Sequence, residues 1–162
     1  SDVYKRQGGG GGIIQVVQTI KKDTFTTASV VSSGGYVDIT GLSAAITPKF
    51  NTSKILVKAV IYNSNANAVN FFRALRGSTF IEQPSGTSSS GASYNAHAFA
   101  YYNADNWQDS TTIEILDSPA TTSATTYKIQ MGVTSNTGTI NKFYNTSNYY
   151  GISTLTLYEV SA

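Results

Sequence analysis

The clearest pattern in the chain is the alternation of side chains in residues 53–63 (SKILVKAVIYN). A period of two is typical of a β-strand that buries one of its faces. One face of this segment carries only apolar side chains, which are Ile55, Val57, Ala59 and Ile61. The other face mixes two lysines with Leu56, Val60 and Tyr62. We therefore predict that this second face is partly buried, either against a second sheet or against a neighbouring subunit.

Weaker patterns of the same kind predict strands along the rest of the chain. Residues 111–131 are predicted to form a hairpin-like unit of strand, proline turn and strand. Pro119 suits the turn because proline fixes φ and has no amide hydrogen to give to a ladder. In the second strand of this unit, the inward positions are predicted to be Tyr127, Ile129, Met131 and Val133. Residues 94–102 are predicted to place three rings on one face and small alanines on the other, the rings being His97, Phe99 and Tyr101.

Shorter segments complete the set of predicted strands, and none of the chain predicts a capped helix. The spacing of apolar residues in residues 13–20 fits either a strand or one face of a helix. The other predicted strands cover residues 24–27, 36–40, 43–47, 69–75, 78–83, 139–143 and 151–160, the last with Leu155 and Leu157 inward. About ten short strands separated by turns predict an all-β fold, a two-sheet antiparallel jelly-roll sandwich.

Composition narrows the classes of function. The chain has 162 residues, which is enough for one core, and it contains no cysteine. Disulfides, thiolate metal sites and cysteine nucleophiles are therefore excluded. Charged residues make up 12% and the net charge is +2, which gives no electrostatic footprint for nucleic acid or for an anionic membrane. No apolar run approaches the ~20 residues that a membrane helix needs, so no membrane insertion is predicted.

The first twelve residues stand apart from the rest. The segment SDVYKRQ resembles the translated end of a sequencing-transposon adapter, and five consecutive glycines follow it. A glycine run is flexible and does not nucleate structure. We expect residues 1–12 to be a disordered leader, made of an adapter artefact and a glycine linker, and residues 13–162 to form a single β-sandwich domain.

Candidate catalytic and metal-binding residues are few. His97 is the only histidine, and the simpler interpretation of it is a strand histidine at a sheet surface or subunit contact. Glu114 and Asp117 are three residues apart in a predicted strand, so they point to opposite faces and cannot form a glycosidase pair. The oxygen-rich residues 103–114 do not match a calcium hand, because Trp107 occupies a ligand position and Gln108 replaces the required glycine. A looser oxygen site for a loop cation stays open, but we predict no catalytic residue, metal site or cofactor.

Aromatic residues beside amides and carboxylates are the best candidates for a binding site. Flat rings suit the C–H faces of sugars, and they also anchor protein contacts. Two predicted loops combine rings with polar groups, in residues 103–110 and 144–149. The candidate binding residues are Tyr101, Tyr102, Asn103, Asp105, Trp107, Asp109, Tyr144, Asn145 and Tyr149. We expect both loops to be exposed and Trp107 to be the strongest single anchor, although packing in the core also explains many aromatic residues.

Three blocks of the sequence resemble the C-terminal module of bacteriophage tail fibres and tail-associated proteins, including those of marine phages. These blocks are residues 37–62 (VDITGLSAAITPKFNTSKILVKAVIY), 72–81 (FRALRGSTFI), and 111–132 (TTIEILDSPATTSATTYKIQMG) with 149–160 (YYGISTLTLYEV). The blocks together cover less than half of the chain, and none contains a catalytic signature. More distantly, the order of elements is similar to the jelly roll of the tumour-necrosis-factor type.

The resemblance implies a non-enzymatic structural module of a virion. Such a module forms the C-terminal, homotrimeric part of a tail fibre, follows an upstream fibre shaft, and presents loops to a host-surface glycan or protein. The expected location is the phage tail, after synthesis in the host cytoplasm. A cellular or capsid-decorating carbohydrate-binding module is the alternative hypothesis. A glycan-degrading virion enzyme is a further alternative, which the single histidine and few carboxylates disfavour.

Overall fold

The computed structural model describes residues 12–86, 94–103, 108–144 and 148–161. Within them the chain forms eleven strands and one 3-10 turn, Val31–Ser33. The strands are β1 (Ile13–Lys21), β2 (Phe25–Thr27), β3 (Val37–Ile46), β4 (Lys54–Ser64), β5 (Val69–Arg76), β6 (Thr79–Phe80), β7 (Ala98–Tyr101), β8 (Gln108–Asp117), β9 (Thr125–Val133), β10 (Gly138–Ile140) and β11 (Ser153–Val160). No helix in the described part of the chain is long and apolar enough to cross a membrane.

The strands form two antiparallel sheets. The first sheet has the order β1-β11-β4-β10-β2, with β8 also paired to β4. The second has the order β3-β9-β5-β6, with β7 also paired to β5. The eight longest strands pair in a nested way: β1 with β11, β3 with β9, β4 with β8, and β5 with β7. This is the folded double hairpin of a jelly roll, so the predicted all-β, two-sheet antiparallel sandwich is confirmed.

The core lies between the two sheets and follows the predicted alternation. The four apolar side chains of β4 are fully buried, as are Leu155 and Leu157 of β11. The inward residues of β9 are also fully buried, and these are Tyr127, Ile129, Met131 and Val133. Each of these large side chains contributes on the order of 1.5–3 kcal/mol through burial. The second sheet covers this face of β4, so it does not cover the opposite face with Leu56, Val60 and Tyr62.

Several predicted elements have different boundaries in the structure. Residues 13–20 belong to a strand, β1, because they pair along β11 and no helix forms. The two strands predicted on either side of Gly41 are one strand, β3, with an irregular register between Asp38 and Ser43. Gly41 has a φ of 82°, a left-handed conformation that glycine adopts without the strain of a side chain. The strand predicted for residues 78–83 shrinks to the two residues of β6.

The hairpin-like unit predicted in residues 111–131 is wrong in its pairing. Both strands exist, but β8 pairs with β4 in the first sheet and β9 pairs with β3 and β5 in the second. Residues 118–124, with Pro119, therefore connect the two sheets across the edge of the sandwich. Arg76 and Tyr127 of the second sheet bind the carboxylate of Asp117 at the end of β8, and this contact ties the connection in place.

Candidate functional site

The structure brings parts of both predicted binding segments to one end of the sandwich. At the end of β4, Asn63 pairs with Asp109 of β8 on one side and with Ile140 of β10 on the other. The strands on the two sides of β4 are about 10 Å apart, since neighbouring strands are spaced by ~4.8 Å. Beyond β10, the chain turns back through an isolated bridge between Lys142 and Tyr150. We call this the tyrosine-rich end, defined by residues 101–103, 108–110, 141–144 and 148–152.

Exposed rings and polar groups crowd this end. Tyr101 is 68% exposed and Tyr149 is 62% exposed, and Tyr144, Asn103 and Asp109 are exposed as well. Tyr150 and Ile152 are also exposed, at 62% and 57%, and neither was among the predicted binding residues. The cluster of rings and asparagines in residues 144–150 already pointed to Tyr150, whereas no signal in the sequence marked Ile152. Of the other predicted binding residues, Asp105, Trp107 and Asn145 lie outside the described residues.

Residues 108–110 are not part of a loop, contrary to the sequence prediction. They form the first residues of β8 and pair with Tyr62, Asn63 and Ser64 of β4. Their backbone is therefore held by a ladder of hydrogen bonds to β4, and the side chain of Asp109 projects from a rigid strand. Rigid placement favours a binding residue, because less conformational freedom is lost when a ligand binds.

Tyr102 lies in the core, although it was predicted to contribute to the binding surface. Its side chain is 2% exposed, and its hydroxyl lies 2.7 Å from Oδ1 and 2.9 Å from the carbonyl oxygen of Asn63. The alternation of β7 explains this position, because Ala100 and Tyr102 face inward while Phe99 and Tyr101 face outward. Burial raises the pKa of Tyr102, and the nearby charge of Asp109 raises it further. Tyr102 therefore packs beneath the tyrosine-rich end and is not part of its exposed surface.

A network of buried asparagines underlies the tyrosine-rich end, and the sequence analysis did not single it out. The Asn63 amide nitrogen donates to the hydroxyl of Thr111 at 2.9 Å, and its oxygen accepts a bond of 3.0 Å from the Asn70 amide. Asn65 in turn donates to Asn70 at 2.7 Å. Asn63 belongs to the first sheet and Asn70 to the second, so the network joins the sheets. The side chains of Asn63, Asn65 and Asn70 are fully buried, and the bonds between them offset the cost of that burial.

A small cleft of about 210 Å³ opens between β7 and β8. Its described lining consists of Tyr101, Tyr102, Gln108 and Asp109. The side-chain nitrogen of Gln108 is buried and has no hydrogen-bond partner among the described residues. The carboxylate of Asp109 accepts a bond of 2.7 Å from the backbone N–H of Ser110, which fixes its orientation. The cleft thus offers a ring and a carboxylate acceptor, and a buried amide without a partner among the described residues lies beside them.

A strip of rings continues from this cleft along the outside of the second sheet. The ring centres of Phe71 and Phe99 are 6.1 Å apart, and those of Phe71 and Tyr94 are 5.6 Å apart. Phe99 is 68% exposed, as is Tyr101 two residues later, whereas Phe71 beneath them is 9% exposed. The prediction that Phe99 and Tyr101 share one face of a strand is confirmed.

His97 has a structural position. Its Nδ1 accepts the backbone N–H of Ala74 at 2.9 Å, so its proton is on Nε2, which lies 2.7 Å from the carbonyl oxygen of Ile81. Its ring packs against Phe80 in a T-shaped arrangement, with the ring centres 4.8 Å apart. Burial lowers the pKa of His97, although bonds to the backbone oppose this effect. Both ring nitrogens are engaged by the backbone, and neither is free to take a proton from a substrate.

The carboxylates do not form a catalytic pair or a metal site in the described residues. Glu114 is exposed and lies 3.1 Å from the Lys58 ammonium, whereas Asp117 is buried against Arg76. Their opposite orientations agree with the prediction from spacing. No group of three or more histidine, aspartate or glutamate side chains comes together in the described ranges.

Comparison with known proteins gives a likeness of fold only. No family model and no curated protein sequence matches the chain. Among solved structures, a chain in the structure of the infectious bursal disease virus Gx strain matches with 16% identity and a TM-score of 0.42 over 91% of this chain. The VP2 subviral particle of the same virus matches with 13% identity and a TM-score of 0.40, again over 91% of this chain. In both cases the match covers 38% of the viral chain. At such identities and scores, these similar structures carry no argument about the function of this chain.

Proposed function

We propose that this chain is a non-enzymatic attachment module of a virion, the homotrimeric C-terminal part of a phage tail fibre. In this proposal the tyrosine-rich end binds a host surface. The sequence blocks that resemble tail-fibre modules motivate the proposal. The observation that supports it best is that the chain enters the sandwich at one end and presents its exposed tyrosines at the other.

The chain enters the sandwich at the end opposite to the tyrosine-rich end. Gly12 donates its N–H to the side chain of Ser161, and Ile13 pairs with Val160. The same end of the sheet contains Lys54, at the start of β4. Because β4 has 11 residues at ~3.3 Å each, the two ends are separated by roughly 30 Å. A fibre shaft that precedes Gly12 would therefore hold the exposed tyrosines away from itself, as attachment to a surface requires.

Homotrimer formation is supported by the outer face of the first sheet. The register places four apolar side chains in one row across four adjacent strands, and these are Val16, Tyr158, Leu56 and Leu116. Val16 is 53% exposed and Leu116 is 46% exposed. No strand of the described chain covers this row, and the proposal assigns a neighbouring subunit as its partner. Closed cyclic symmetry would bury such a row without leaving an open edge.

Attachment is tested by measuring how the labelled full chain binds to a panel of bacterial cultures. The double variant Tyr101→Ala/Tyr149→Ala removes two exposed rings from the tyrosine-rich end, and we expect at least a tenfold loss, about 1.4 kcal/mol. The matched control is Phe50→Ala, which removes a ring that is 57% exposed at the entry end. Equal binding by the double variant and the parent, or an equal loss in the control, would contradict the proposal. Melting curves of all variants show whether each is folded.

A further inference from the structure

We propose that the cleft between β7 and β8 is a subsite for a single uncharged sugar ring. This inference rests on the proposed function and names the class of ligand at the tyrosine-rich end. It follows from the side chains that line the cleft, from its size and from its charge.

The cleft offers complementary chemistry for a polyhydroxylated ring. Tyr101 presents an aromatic face that is 68% exposed, against which the C–H face of a sugar can stack. The carboxylate of Asp109 accepts hydrogen bonds, and the amide of Gln108 donates them once it has turned toward the cleft. A sugar hydroxyl both donates and accepts, so one ring can satisfy both groups.

Gln108 is the residue that points to a ligand. Its buried amide nitrogen has no partner in the described part of the chain, and it lines the cleft. Buried polar groups are nearly always hydrogen-bonded, and each exception needs an explanation. This nitrogen is closed to solvent, so the amide turns toward the cleft when a sugar binds, and a hydroxyl oxygen there provides the missing acceptor.

The size of the cleft limits what it can hold. Its volume of about 210 Å³ is below the ~300–1,000 Å³ of pockets for drug-sized ligands. It therefore fits one ring of a glycan, with the rest of the chain outside. The strip of exposed rings that begins at Tyr101 gives the following units a surface to lie on.

The charge of the cleft selects against acidic sugars. Asp109 carries a negative charge, and no lysine or arginine is among the described lining residues. Burial keeps the hydroxyl of Tyr102 protonated, so it adds no charge. Uronic acids, sialic acids and phosphorylated sugars would bring a second negative charge close to Asp109, where like charges repel.

Ligand-detected NMR on the full chain tests the inference. The probes are galactose, glucose, mannose and N-acetylglucosamine, with galacturonic acid and N-acetylneuraminic acid as acidic counterparts. We expect saturation transfer to at least one neutral sugar and at least tenfold weaker transfer to the acids. Tyr101→Ala should remove the transfer, whereas Phe50→Ala, which removes a ring that is 57% exposed at the opposite end of the sandwich, should leave it intact.

A variant that removes the charge of the cleft should increase binding of an acidic sugar, and unfolding of the protein cannot produce such an increase. Asp109→Asn keeps an oxygen for the Ser110 N–H, so the strand is preserved, and it should raise binding of galacturonic acid relative to galactose by about fivefold or more. The control is Glu114→Gln, which removes an exposed carboxylate of β8 outside the cleft. An unchanged ratio in Asp109→Asn, or no transfer to any neutral sugar, would overturn the inference.

The inference and the proposed function can fail separately. If the full chain binds cells but neutral sugars neither bind nor compete, and protease treatment of the cells abolishes attachment, the attachment function stands and the sugar subsite is wrong. If neutral sugars bind in the cleft but no culture binds the chain, the subsite stands and the attachment function is wrong.

Discussion

At the end where the chain enters the sandwich, the buried carboxylate of Glu159 joins separate segments of the chain. Glu159 is fully buried, and its oxygens accept bonds of 2.6 Å from the Gln15 amide and from the backbone N–H of Lys49. Burial by itself raises the pKa of Glu159, but hydrogen bonds from these and neighbouring groups outweigh it and hold the pKa below its usual value. The carboxylate therefore fastens β1 and the turn after β3 to the last strand.

We predict that Glu159→Gln lowers the free energy of unfolding at pH 7 by about 1–3 kcal/mol, because an NH₂ group would face one of the two donors. The lowered pKa means that the parent binds more protons when unfolded, so its advantage is complete above the unfolded pKa of ~4.3 and is lost as the pH falls through the folded value. Urea unfolding at pH 7 and at pH 3 should show the difference between parent and variant shrinking at pH 3.

The control for this prediction is Glu114→Gln, where the carboxylate is exposed beside Lys58. Exposed pairs contribute ~0–1 kcal/mol, so this change should have little effect at either pH. A difference for Glu159→Gln that stays constant from pH 7 to pH 3 would show that its ionisation is not coupled to folding.

Among the elements, the connection between β8 and β9 depends on the contact around Asp117. Arg76 binds both carboxylate oxygens, at 2.9 and 2.7 Å, and the Tyr127 hydroxyl donates to one of them at 2.6 Å. Asp117 is 5% exposed, so any loss of these bonds leaves its partners poorly hydrated. The contact joins one strand of the first sheet to two strands of the second.

We predict that Asp117→Asn destabilises the fold by about 2–3 kcal/mol, because bonds from Arg76 and Tyr127 to the charged group are weakened together. Urea unfolding at pH 7 measures the change. Asp38→Asn is the matched control, since Asp38 pairs with Lys128 on the exposed face of the second sheet and should cost less than ~1 kcal/mol. Equal losses in the two variants would show that the Asp117 contact is no more than a surface pair.

The whole molecule presents the apolar row of Val16, Tyr158, Leu56 and Leu116 on its outer face. If this row is the subunit interface, we predict a trimeric mass for the full chain in light scattering at micromolar concentration. Leu56→Lys should release monomers, because a buried charge in the row costs more than the lost contact alone. Thr126→Lys, on the exposed face of the second sheet, should leave the trimer intact. A monomeric parent chain would contradict this assembly.

Local pattern was sufficient to predict the buried faces of the long strands. The alternation in β4, β9 and β11 predicted their inward residues, because successive side chains of a strand point to opposite sides whatever the strand pairs with. The clustering of rings and amides also pointed to the two segments that meet at the tyrosine-rich end. Their resemblance to tail-fibre modules suggested a role that stays a prediction.

Pairing and burial at strand ends were decided by the tertiary structure. The pattern of β8, turn and β9 is the same for a hairpin and for a crossing between sheets, and only the distant partners β4 and β5 distinguish the two. The alternation of β7 turns Tyr102 inward, but only the structure shows that Asn63 of β4 lies there to accept a bond from its hydroxyl. The chain alone determined which side chains could be buried. The packing of distant strands determined which of them were, and it placed two separate segments side by side.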